Sequence, residues 1–170
     1  MSDASAMDAA PRGPVAFVRA GRPPSANKNL GVAGRRLQQD LANLYREAGG
    51  LHSNTHRYGV IYYFVRGYRP SNDPDAGNVS KRIWDALEGA AYDDDHVVPL
   101  QIAGLIEIGQ APSGDLAIED IDLADVPSRA LDQLLGLINE GVAHILYVEL
   151  GHIRPSLFMF NLAASGGEAS

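Results

Sequence analysis

Apolar positions along the chain follow two periods. VAFVRAG (15–21) and YGVIYYFVRGY (58–68) are β-branched and aromatic, and predict strands. VVPLQIAGLIEIG (97–109) and AHILYVELG (143–151) predict two more, the first with a proline near its start. Between them the period lengthens. Leu37, Leu41, Leu44 and Tyr45 recur at helical spacing from Arg35 to Ala48, where Gly49-Gly50 stops the helix. Val79, Ile83, Trp84, Leu87 and Ala90 form a second helical stripe. PSRALDQLLGLINEG (127–141) predicts a third helix, with proline at its start and glycine at its end.

This β-α-β-α-β-α-β order predicts one α+β domain over 14–162, a mixed sheet packed with helices. RPPSANKNLGVAG (22–34) reads as a loop, residues 110–126 as an acidic connection, and SLFMFNL (156–162) as a short apolar run. The stretches 1–13 and 163–170 read as disordered tails. A length of 170 residues with 45% hydrophobic content suffices for a proper core. No apolar run has membrane-spanning length, and the N-terminus lacks a basic-then-apolar leader. With no cysteine there are no disulfides or thiolate metal sites. Cytoplasmic placement is expected.

Charge changes the picture more than composition does. The net charge is −7, yet residues 1–82 carry twelve of the fourteen Lys and Arg against six acids, a balance of +6. Residues 83–170 carry two basic and fifteen acidic residues, a balance of −13. Five basic residues and no acid lie between Arg19 and Arg36. A chain so polarised suits a basic face for phosphate. Arg22, Lys28, Arg35, Arg36 and Arg82 are the candidate phosphate contacts, of the kind that give affinity without sequence readout.

DPDAGNVSKRIWDALEGAAYDDDHVV (73–98) gathers six aspartates around the second helix. Asn78, Lys81 or Arg82, and Asp85 share one face at steps of three and four. Asp73 and Asp75 precede the helix, and Asp93, Asp94 and Asp95 follow it. If the next strand folds back along the helix, both clusters converge on one point. Converging carboxylates repel unless a cation neutralises them, and an all-oxygen set suits Mg²⁺ or Mn²⁺. Such an ion polarises a phosphodiester and acidifies a bound water. The plainer reading is helix capping by Asp75 and a solvated acidic turn.

PDAGNVSKRIWDAL followed by YDDDHVV resembles the central signature of the RusA family of Holliday-junction resolvases, and GRPPSANKN resembles that family's Pro-Pro-Ser-x-Asn loop. The resemblance covers residues 15–109. It implies a small homodimer of α+β fold that cuts four-way DNA junctions with Mg²⁺. Asp75 then matches the first motif aspartate, Asn78 the asparagine, Lys81 the catalytic lysine, Asp94 the downstream catalytic aspartate and Asp93 its acidic neighbour. The implied metal ligands are Asp73, Asp75, Asp93 and Asp94. Gly77 departs from the pattern, since it stands where the family has a second aspartate. Either Asp73, Asp85 or Asp95 substitutes, or cutting is weakened and the chain binds DNA or a protein partner without chemistry.

Other features carry less. Tyr62, Tyr63 and Phe64 read as cross-strand packing rather than base stacking. No two histidines show metal-ligand spacing, and His96 alone lies beside the Asp run. Residues 115–140 hold seven acids and one arginine, a solvated segment or a surface for a protein partner.

Overall fold

The computed structural model describes residues 13–24, 31–67, 75–109, 116–117, 123–124 and 126–153. Asp73, Lys28, both expected tails except Gly13, the apolar run 156–162 and most of the acidic connection lie outside these residues. The elements run β1 (Val15–Ala20), α1 (Gly31–Glu47), β2 (Arg57–Arg66), α2 (Ala76–Leu87), β3 (Leu100–Ile108), β4 (Leu116–Ala117), α3 (Ser128–Asn139) and β5 (His144–His152). They form the expected α+β architecture, a mixed five-stranded sheet in the order β1-β5-β2-β3-β4. β5 is antiparallel to both β1 and β2, while β2 and β3 are parallel. Among the described residues no helix is long and apolar enough to cross a membrane.

Strand alternation splits the core into two layers. Ile61, Tyr63 and Val65 of β2 face one side with Leu146, Val148 and Leu150 of β5. Leu37, Leu41 and Tyr45 of α1 and Val79, Ile83, Trp84 and Leu87 of α2 cover that side. On the other side Phe64, Ile106, Ile145 and Tyr147 meet Ala130 and Leu134 of α3. The apolar stripes thus do what their spacing predicts. Arg129 of α3 donates to the Glu47 carbonyl at 3.2 Å, tying the two helix layers together. Tyr63 and Phe64 are fully buried on opposite faces, and Tyr62 stacks on Tyr147 at 6.0 Å.

Glycine sets how closely α2 lies on the sheet. A Cβ on Gly59 of β2 would fall 2.5 Å from Trp84 Cη2, so the indole rests on bare backbone. Tyr92, after the helix, donates to the Trp84 carbonyl at 2.9 Å and pins the turn that follows. The direction of α2, and hence the position of its two acidic ends, follows from this packing.

Candidate metal and phosphate site

Asp75 is the N-cap of α2. Its Oδ1 accepts from the Asn78 backbone N–H at 2.7 Å, and its Oδ2 accepts from Asn78 Nδ2 at 3.1 Å. The first of these satisfies a backbone donor that the first helical turn leaves open. Lys81 lies one to two turns further on, exposed. Arg82 turns inward instead, only 6% exposed.

At the other end of α2 the chain folds tightly. Gly89 N–H donates to the Tyr92 carbonyl at 2.7 Å, and the Asp93–Asp95 turn follows. Asp93 accepts from His52 Nε2 at 3.1 Å and from Asn54 Nδ2 at 2.5 Å, and its own N–H donates to Asn54 Oδ1 at 2.9 Å. The loop between α1 and β2 therefore clamps the acidic turn. Asp94 caps a short 3-10 turn, Asp95–Val97, accepting from His96 N–H at 3.0 Å and lying 2.8 Å from His96 Nδ1. These hydrogen bonds hold its carboxyl below the usual carboxylate range. Glu88 moves the opposite way: partial burial, then the charges of Asp85, Asp95 and Asp94, push its carboxyl up.

Among the described residues, Asp75 and the Asp93–Asp95 turn stand at opposite ends of α2. Twelve helical residues lie between them, and at 1.5 Å per residue that is about 18 Å. Among the described residues no three His, Asp or Glu side chains are grouped so as to hold an ion. Mg²⁺ or Mn²⁺ fits the all-oxygen chemistry of these donors.

A groove of about 360 Å³ between α1 and α2 does bring separate candidates together. Arg35 and Gln38 line it from α1, and Arg82, Asp85 and Glu88 line it from α2. Arg36, next in sequence, faces the other way into a cavity of about 500 Å³ with Arg19, Asp40 and Asn43. There Arg19 and Asp40 form an ion pair at 3.3 Å. Arg22 is exposed just beyond β1.

The His52–Asp93 contact escapes sequence reading because 41 positions separate the partners. The capping roles carry a checkable consequence. Asp75→Ala is expected to lower stability by about 1 kcal/mol through loss of the cap, and Asp75→Asn by far less. Urea denaturation of both variants measures this; equal losses would mean that charge, not capping geometry, matters there. No family model matches the chain, and no curated protein matches it either.

Proposed function

We propose that the chain is a RusA-like, Mg²⁺-dependent endodeoxyribonuclease that acts on branched DNA as a homodimer. The observation that carries this reading is the groove between α1 and α2, where Arg35, suited to phosphate, stands beside Asp85 and Glu88, suited to a divalent cation. The motif residues Asp75, Asn78 and Lys81 occupy the head of the same helix, and Asp93 and Asp94 its far turn. A divalent ion bound to such carboxylates supplies Lewis-acid activation of the phosphodiester. Because the two ends lie about a helix length apart, a site that uses both Asp75 and Asp94 draws them from two copies.

A second reading is favoured by the engagement of Asp75, Asp93 and Asp94 in capping and clamping bonds: a RusA-like protein that binds DNA or a protein partner without cutting. Gly77 separates the two readings. It is exposed in the first turn of α2, and a Cβ there meets only Asp75 Oδ1 at 3.4 Å. Gly77→Asp therefore fits the helix sterically, with better propensity and the helix dipole set against repulsion from the Asp75 carboxylate. Junction cutting by wild type and variant alike supports the nuclease. Cutting gained only in Gly77→Asp supports lost chemistry.

A further inference from the structure

β3 is paired along its whole length on one side and only at its carboxyl end on the other. β2 accompanies it from Leu100 to Ile108, whereas β4 meets it at Ile106 and Glu107. Among the described residues no strand pairs with Leu100–Leu105 on that outer side. Gln101, Ile102 and Ala103 are exposed there. Ile102, 47% exposed, is the most open large apolar side chain in the described part of the sheet.

An open strand edge is a template for another strand, and proteins commonly blunt such edges with charge. Here the run from Val97 to Ile106 carries no charge, and Pro99 stands just before the open stretch. Glycine shapes the same place. A Cβ on Gly104 would fall 3.0 Å from Tyr62 Cδ1, so the Tyr62 ring leans from β2 across bare β3 backbone toward the edge.

Topology ties this edge to the acidic helix. β2 and β3 are parallel and α2 joins them, so α2 runs back along the sheet. Its head, at Asp75, stands by the carboxyl ends of both strands, and its far turn stands by the start of β3. Two copies joined antiparallel along β3 set the carboxyl end of one strand level with the amino end of the other. The head of α2 in one copy is then level with the Asp93–Asp95 turn of the second. Charge favours that match. Asp93 and Asp94 pair with His52, Asn54 and His96 rather than with Lys or Arg. The head of α2 brings the positive end of the helix dipole and the exposed Lys81.

We propose that the open edge of β3 is the interface between two copies of the chain, paired antiparallel about a two-fold axis at Ile102, and that this pairing brings together the two acidic ends of α2. Ile102 then lies against Ile102 of the second copy, an apolar pair on the sheet. Leu100 lies opposite Gly104 of the second copy and packs on the Tyr62 ring that covers that glycine. The pairing needs only Leu100–Gly104, which begins after Pro99 and ends short of β4. The interface rests on the edge alone. What it assembles rests on the DNA-cutting reading.

A single strand pair covers less than the roughly 800 Å² per partner of a standard interface, so self-association is expected in the micromolar range. Sedimentation of the full chain across that range is expected to show a dimer. Ile102→Lys is expected to weaken it at least about tenfold, by setting like charges opposite each other at the axis. Because the chain has no cysteine, Ile102→Cys reports the axis directly, even where the lysine disturbs the fold. Mild oxidation is expected to link it into dimers far faster than Leu135→Cys, an exposed position on α3.

A wild type that stays monomeric overturns the proposal. So does a dimer indifferent to Ile102→Lys, or an Ile102→Cys chain that links no faster than Leu135→Cys. Oxidised Ile102→Cys dimers that cut no junction keep the interface and lose the nuclease reading. Undiminished cutting by monomeric Ile102→Lys removes the shared site and keeps the nuclease.

Discussion

Trp84→Ala is expected to cost about 3–5 kcal/mol, the range for removing a large buried aromatic. The indole is 1% exposed, rests on Gly59 and touches the main core layer under α1 and α2. A loss of that size is a large share of the roughly 5–15 kcal/mol that holds a domain together. It also releases α2 from the sheet, and with it Asp75 at one end and the Asp93–Asp95 turn at the other. Equilibrium denaturation followed by circular dichroism measures the cost. Gly59→Ala is the matched control, since its Cβ would strike the same ring from below at 2.5 Å. A loss under about 1 kcal/mol for Trp84→Ala would mean that the ring does not anchor α2.

The second large effect concerns chemistry rather than folding. Asp75→Asn and Asp94→Asn are each expected to lower junction cutting about a hundredfold or more, on the scale of losing one preorganised contact to the transition state. Asparagine keeps the N-cap, so the first loss is not a folding loss. The informative experiment mixes the two inactive proteins. If each site takes Asp75 from one copy and Asp94 from the other, a mixed dimer has one intact site and one doubly altered site. Free re-association then restores about a quarter of wild-type activity, because half the dimers are mixed and half their sites are intact. If both residues of a site came from one copy, the mixture would stay as inactive as its parts. That outcome would remove the two-copy site, and with it the helix-length argument.

Much of the fold was legible because periodicity reports burial directly. The stripe Val79, Ile83, Trp84, Leu87 is buried on the sheet, and the strand expected over 143–151 lies inside the sheet between β1 and β2. What escaped has physical causes. α1 begins at Gly31, inside a glycine-rich stretch that reads as loop. Gly34 is buried there and lines the groove against α2, so close helix packing outweighs poor propensity. Val97 and Val98 read as the start of β3, yet both are buried in and after a 3-10 turn, and the strand waits until Leu100, beyond Pro99.

Legibility of the site was uneven. Asp75 as a cap follows from local spacing, whereas the place of Arg35 beside the acidic helix does not. The inward turn of Arg82 and the clamp of Asp93 by His52 and Asn54 depend on contacts far apart in sequence. The separation of the two acidic ends was legible in principle, since a helix of this length cannot bring its termini together.

The deciding measurement incubates the wild-type chain with an end-labelled four-way junction and with linear duplex of the same sequence, in Mg²⁺, in Mn²⁺ and in chelator. Paired, symmetric cuts in the junction, absent from the duplex and from the chelated sample, are the predicted result. An uncut junction in both metals, with wild type and Gly77→Asp alike, would contradict it and leave this fold to some other use.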